Sequence, residues 1–375
     1  MCRSRQLIDY GMFSSIRIQH NGGNFDRSER TMMPSDGKEA MRVISQAPCR
    51  VDLAGGTLDI WPLYLYHSGA VTVNFAVNLY ARCVVKTRSD KRIHVRSEVR
   101  AGEEIFNSLE DLRAARKYKV PLVAYLLRFF APTCGLDVIT ESEAPMGAGI
   151  AGSSTLIIAL ITALNRLTSS GYPLEKLRQI AQNIEAQIIR VPTGAQDYYP
   201  AMYGGVNAIE LSVDGIHRQP ISVDPTDLNE RIVLAYTGVP RNSGINNWEV
   251  MKAYIDGDRK VHRNFEQISV IAQAMRRALE KQDWDEAGRL LREEWRHRRK
   301  NAPGISTPLI DRLVAVTARV GATGAKVCGA GGGGCVFFLV ERGASQKVAG
   351  VIEREGARVL PVRLAMSGVR TTLDA

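Results

Sequence analysis

The chain has 375 residues, 45% of them hydrophobic, enough to bury the core of two domains or of one large one. A formal net charge of +10 suits nucleic acid, a membrane surface or a phosphorylated small molecule. The basic residues carry no interleaved aromatics and no apolar run approaches the ~18 residues of a membrane helix, which sets nucleic acid and membrane aside.

The first 40 residues are polar and lack the apolar core of a signal peptide. They read as a floppy leader, with Met33 or Met41 as an alternative start. Strands are expected at 43–54, 71–73, 81–86 and 92–96, where apolar residues alternate. A buried helix follows at 120–130, then a strand at 135–140. Residues 153–167 make an apolar core helix, and 174–189 a second one with an apolar stripe at 174, 177, 180, 181, 184 and 188. Strands at 206–211 and 231–236 precede helices at 261–279, 284–295 and 309–320. Short strands at 326–327, 336–340 and 359–364 close the chain. The mixture lacks strict βαβ alternation, so the expected fold class is α+β. No Gly-Lys-Ser/Thr of the P-loop kind occurs, and glycines 331–334 do not open a first helix as a dinucleotide fingerprint would. Six cysteines, at 2, 49, 83, 134, 328 and 335, show no Cys-x-x-Cys spacing, which disfavours zinc and fits a reducing cytoplasm.

The most informative segment runs from Ala144 to Thr155, where glycines and alanines lead into two serines and an unbroken apolar helix. Ser153 and Ser154 stand where an N-cap belongs. Small residues let the backbone turn several N–H groups toward one point, and the helix start adds its own unpaired N–H groups and positive dipole end. Pro145, Gly147, Ala148 and Gly149, then Ala151, Gly152, Ser153 and Ser154, therefore form a candidate phosphate cradle. Two further glycine-rich segments flank it in sequence: Ala47 to Asp59, with Ala54-Gly55-Gly56, and Gly324 to Cys335, with Gly329-Ala330-Gly331-Gly332-Gly333-Gly334.

Three such segments in this order resemble the motifs of the GHMP kinases, over residues 43–365, and look closest to the heptose-7-phosphate kinase and fucokinase branch. Pro145 to Ser153 is one position longer than the family's usual spacing, with Ile150-Ala151-Gly152 where Leu-Gly is common. The resemblance implies two α+β lobes, 41–211 and 212–375, with the active site between them. It implies ATP and Mg2+ as cofactors.

Phosphoryl transfer needs a cradle, a metal to offset phosphate charge, and a group that positions the attacking hydroxyl. Ser154 and Glu185 are the candidate metal ligands. Glu185 lies on the shoulder of a buried helical stripe, where a carboxylate is costly unless paired or metal-bound. A salt bridge to a neighbour such as Arg190 is the alternative. Thr193-Gly194-Ala195-Gln196-Asp197 resembles the family's Gly-x-Gln-Asp and makes Asp197 the candidate catalytic carboxylate, though an isolated Asp there reads as a turn residue. Arg50 stands nine positions before Asp59, the separation of the Arg and Asp in the sugar kinases of this family, and the resemblance makes it the candidate stabiliser of the transferring phosphoryl group. Asp59 would accept hydrogen bonds from sugar hydroxyls, or cap a helix. Gly55, Gly56, Gly331 and Gly332 would let substrate approach the backbone, and Arg241 sits on a loop that would meet it. Lys326 reads equally as a structural lysine or a substrate contact. The basic cluster 296–300 reads as a solvated face, with a phosphate or nucleic-acid site as the alternative.

The expected function is ATP-dependent phosphorylation of a sugar or sugar phosphate hydroxyl by a cytoplasmic monomer or homodimer. The alternatives are a mevalonate-type hydroxy-acid kinase and a non-catalytic sugar- or nucleotide-binding relative.

Overall fold

The computed structural model describes residues 40–99, 102–240 and 243–374. The expected leader, apart from residue 40, lies outside the described residues.

The first sheet begins with β1 (Arg42–Ala54) and β2 (Val71–Arg88), followed by β3 (Ile93–Ser97) and β4 (Gly102–Phe106). Helices α1 (Leu109–Ala114) and α2 (Pro121–Phe130) lead to β5 (Gly135–Ser142). Then come α3 (Gly152–Leu167), α4 (Leu174–Ile189), α5 (Tyr198–Tyr203) and the hairpin β6 (Val206–Ser212) and β7 (Gly215–Ile221). A short α6 (Pro225–Glu230) leads to β8 (Ile232–Tyr236), α7 (Ser243–Ile255), α8 (Arg259–Glu280), α9 (Trp284–Arg298) and α10 (Pro308–Ala318). The chain ends with β9 (Ala322–Val327), β10 (Cys335–Val340), α11 (Ser345–Arg354), β11 (Arg358–Leu360) and β12 (Arg370–Asp374).

The first sheet runs β12-β1-β2-β5-β3-β4, with β6 on β2 and β7 on β6; the second runs β11-β8-β10-β9. Both β7 and β12 lie beyond residue 211 yet belong to the first sheet. One core packs α2, α3 and α4 on the first sheet through residues such as Val85, Leu160 and Ala181. Another joins the two sheets and helices α8 and α9, through Leu53, Phe75, Phe337, Met275 and Leu291. The two sheets therefore share an apolar interior. Among the described residues no helix is long and apolar enough to cross a membrane.

Several expectations need correction. The predicted strands at 71–73 and 81–86 are one 18-residue strand, β2. Asn74 and Asn78 interrupt its apolar alternation, but the ladder continues because β1 pairs along nearly its whole length. Asn74 is buried and donates to the Gln196 carbonyl. The β1–β2 register shifts at Pro48/Cys49, where proline has no N–H for the ladder. The predicted strand 359–364 stops at Leu360 because Pro361 follows. Ser153 and Ser154 are not N-caps: Ala151 holds that position in a left-handed conformation at φ 63, and the serines are inside the first turn. Helices α1, α5, α6, α7 and α11 and strands β4, β7 and β12 have no counterpart in the sequence reading.

Candidate active site

A cleft of ≈ 970 Å³ opens between the Ala144–Ser154 loop, the Thr193–Asp197 segment and the Gly329 turn. The loop reverses through Gly147 and Gly149, at φ 68 and 80, conformations that glycine adopts without a Cβ penalty. Its extra residue is absorbed in two ways. Ile150 is fully buried, with its carbonyl accepting the Arg50 N–H at 3.1 Å, and Ala151 takes the left-handed turn. The first intrahelical bond of α3 is Thr155 N–H to the Ala151 carbonyl, so the N–H groups of 152–154 lack helical partners. All three residues line the cleft. A Cβ at Gly152 would meet only the Ala144 Cβ at 3.7 Å, which leaves the space above it to a ligand.

Opposite the cradle, Arg50 donates from Nε and Nη2 to the same oxygen of Asp197, at 2.9 and 2.7 Å, and from Nη1 to the Gly149 carbonyl at 2.8 Å. Burial opposes the Arg50 charge, and Asp197 and Asp52 outweigh it, holding the guanidinium above its usual range. Asp197 is 28% exposed and reaches the cleft. Asp59 is buried and accepts the Gln196 N–H at 2.9 Å, so it caps the 196–197 turn rather than a helix. A side chain at residue 194 would overlap its carboxylate, which explains glycine there. Burial, then the neighbouring Asp197, pushes the Asp59 carboxyl up to about 6.

Glu185 does not pair with Arg190. It is buried, accepts from Ser154 Oγ at 2.9 Å and from the Tyr198 hydroxyl at 2.5 Å, and lines the cleft beside the cradle. Burial raises its carboxyl, and hydrogen bonds from Tyr198, Ser154 and Ser153 oppose that rise. No group of three or more His, Cys, Asp and Glu suits a metal among the described residues. Magnesium needs no such cage: one or two protein oxygens plus phosphate oxygens suffice. The Ser154 and Glu185 oxygens, adjacent and cleft-facing, fit that requirement.

Behind these groups lies a charged interior that the sequence reading did not foresee. Lys326 is fully buried and donates to Asp52 at 2.7 Å and Glu294 at 3.3 Å, both also fully buried. It is a structural lysine, not a substrate contact. Arg298, from the cluster read as a solvated face, is buried. It donates to the carbonyls of Gly56 and Gly329 at 2.7 and 2.8 Å and lines the cleft. The available signal was Asp52 itself, a carboxylate inside an apolar strand where charge demands a partner.

Residues 114–205 match the GHMP kinases N terminal domain, and residues 275–358 match the GHMP kinases C terminal. The chain carries both domains of the GHMP kinases, N terminal and C terminal in that order. It is 26% identical over 338 residues to the D-glycero-alpha-D-manno-heptose 7-phosphate kinase of Campylobacter jejuni, spanning 87% of this chain and 98% of that protein. The mevalonate kinase of Thermococcus sibiricus is 24% identical over 357 residues, spanning 88% and 98%. Lactococcus lactis galactokinase, solved with galactose, shares the fold at a TM-score of 0.72 and 19% identity, over 89% of this chain and 95% of that one.

Within this GHMP kinase cleft the glycines divide differently from expectation. Gly55 and Gly56 do not line it. Gly55 has φ 81 and abuts the Val71 carbonyl, and a Cβ at Gly56 would meet Arg298 Nη1 at 2.7 Å. Gly331 and Gly332 do not line it either: a Cβ at 331 would press on the Ile305 carbonyl at 2.6 Å, which already accepts the Gly332 N–H. Their freedom serves backbone packing, and Gly329 and Ala330 supply the lining instead. Arg241 lies outside the described residues. Trp248 of α7, unforeseen, stands on the cleft wall.

Proposed function

We propose that this chain is an ATP-dependent kinase that transfers the γ-phosphoryl group to a hydroxyl of a sugar or sugar phosphate. The observation that carries the reading is the Arg50 guanidinium fixed on one oxygen of a partly exposed Asp197, across the cleft from an unpaired helix N-terminus. The N–H groups of 152–154 hold nucleotide phosphates. Asp197 orients the acceptor hydroxyl and takes its proton. Arg50 stabilises charge on the transferring group. Ser154 and Glu185 would hold magnesium, which when bound offsets the phosphate charge. Asp59 accepts hydrogen bonds from sugar hydroxyls, and the buried Arg298 provides a cation on the acceptor side. A hydroxy-acid acceptor is the second reading, since a mevalonate kinase aligns over a similar span. The Asp59 carboxylate argues against it, because like charges repel strongly in a poorly solvated site. The deciding experiment offers purified protein and ATP-Mg to aldoses, aldose phosphates and mevalonate. Phosphorylation of mevalonate alone overturns the sugar reading, and no transfer to any acceptor overturns the kinase reading.

Two results are expected from single substitutions. Gly152→Val folds normally, since its Cβ has room, but loses ATP affinity because the branched side chain enters the cradle. Calorimetric titration with ATP-Mg checks this, and unchanged affinity removes the phosphates from residues 152–154.

Asp59 predicts a pH dependence. Its carboxyl is pushed up to about 6, so the acceptor form is present above that value and lost below it. The sugar KM therefore rises as pH falls through about 6, and in Asp59→Asn it is high at every pH. The sign for stability is opposite. A carboxyl raised in the folded state contributes stability below its unfolded value of about 4 and loses it as pH rises through about 6. Asp59→Asn is then more stable than the parent at pH 7, by about 3 kcal/mol, with little gain at pH 4. Thermal melts at the two pH values check it.

A further inference from the structure

We infer that Asp52 is a positioning residue for phosphoryl transfer, a single buried carboxylate that sets both the arginine on Asp197 and the turn at Gly329. The inference rests on the kinase reading of the cleft. Asp52 lies two residues beyond Arg50 on β1, so both side chains leave the same face of the strand. Its Oδ1 accepts the Gly329 N–H at 3.0 Å and stands 3.5 Å from Arg50 Nη1, and its Oδ2 accepts from Lys326 at 2.7 Å. The remaining Arg50 donors go to Asp197 and to the Gly149 carbonyl of the cradle. Two side chains thus join β1, the cradle, the Asp197 segment and the third glycine turn.

Stability alone does not account for this arrangement. Buried ion pairs contribute little over an apolar set of the same volume, because desolvation offsets their attraction. Three cations, Lys326, Arg50 and Arg298, nonetheless overcome the burial of Asp52 and hold its carboxyl well below the usual range. Glu294 provides the contrast. It is equally buried and touches Lys326, but its other oxygen has no hydrogen-bond partner, and among the described residues no hydrogen bond joins it to a cleft-lining group. Glu294 balances charge. Asp52 balances charge and also holds two groups that face the reaction.

Asp52→Asn preserves volume and one acceptor oxygen, but it turns an NH2 group toward either Lys326 or the Arg50–Gly329 side, donor against donor. The experiment compares Asp52→Asn with Glu294→Gln, each removing one negative charge beside Lys326. A misplacement of ~1 Å at a reacting centre costs up to ~100-fold, so kcat of Asp52→Asn is expected to fall at least ~10-fold. Its KM values for ATP and sugar change much less than kcat, because none of the hydrogen bonds of Asp52 goes to the N–H groups of 152–154 or to Asp59. Glu294→Gln retains the parental kcat. Parental kcat in Asp52→Asn overturns the inference, as does an equal loss in both variants. If Asp52→Asn fails to fold, the triple variant Asp52→Asn/Lys326→Met/Glu294→Gln, in which all three charges leave together, is measured: a lost kcat supports the inference and a parental kcat overturns it. Failure of the kinase reading looks different, since the parent protein itself then phosphorylates no acceptor.

Discussion

Asp197→Asn is expected to lower kcat by ~100-fold or more, the usual range for a general acid or base, while leaving ATP affinity nearly intact. Both Arg50 contacts fall on Oδ1 of Asp197. In the variant the amide oxygen can still accept from Arg50. Its NH2 group then faces the incoming hydroxyl, presenting a donor where the carboxylate presents an acceptor. The proton has nowhere to go and the hydroxyl is misoriented. On the proposed reading ATP binding changes little, because the phosphates would rest on the N–H groups of 152–154, and the cradle is tied to Arg50 through the Gly149 carbonyl. Steady-state kinetics on the best acceptor, with calorimetric titration of ATP-Mg, separates the two effects. Turnover within a few-fold of the parent would move the proton acceptor elsewhere.

Lys326→Met is expected to be the most destabilising of these single changes. The substitution keeps much of the volume but leaves Asp52 and Glu294 buried beside each other without their shared cation. Removing one partner of a buried pair typically costs 3–5 kcal/mol, on the order of 10 °C in melting temperature for a chain of this size. The pH dependence has a definite sign. Lys326 is the largest of the influences that hold Asp52 well below the usual carboxylate range. The stability this contributes is present above the unfolded value of about 4 and is lost as pH falls through the folded one. The gap between parent and variant is therefore widest at neutral pH and narrows below about 4. Melts across that range check it, and a variant that melts with the parent at pH 7 would show the charges to be unimportant.

The sequence made some elements legible for plain physical reasons. The unbroken apolar run after Ser154 has no alternative to a buried helix, and the 3.6-residue stripes of α4 and α8 give them away. Proline and glycine marked turns. Long pairing was not legible: β2 looks like two strands because its polar Asn74 is satisfied by Gln196 and Asn207, which are distant in the chain. Helix α7 was missed because its apolar residues make only a weak stripe beside a glycine-containing start. The N-cap was misplaced because serine preference is a local rule, and here the loop closes on Ala151 under tertiary constraint.

The same division runs through the cleft. Residue type and spacing by themselves pointed to Ser154 and Glu185, because a hydroxyl at a glycine-rich helix start and a carboxylate beside an apolar stripe need a partner or a ligand, whereas Arg50, Asp59 and Asp197 stood out through their resemblance to the GHMP kinase motifs. Only the tertiary structure decided which partner each has. Glu185 meets Ser154 and Tyr198 instead of Arg190. Lys326 is sealed between Asp52 and Glu294, and Arg298 turns inward to two carbonyls although its neighbours in sequence are solvated. Gly55, Gly56, Gly331 and Gly332 serve close backbone packing while Gly329 and Ala330 line the cleft. The reason is physical. A side chain's chemistry is written in its residue, but its charge partner, desolvation and access to the cleft depend on segments up to 277 positions away, such as the Asp52 carboxylate under Gly329.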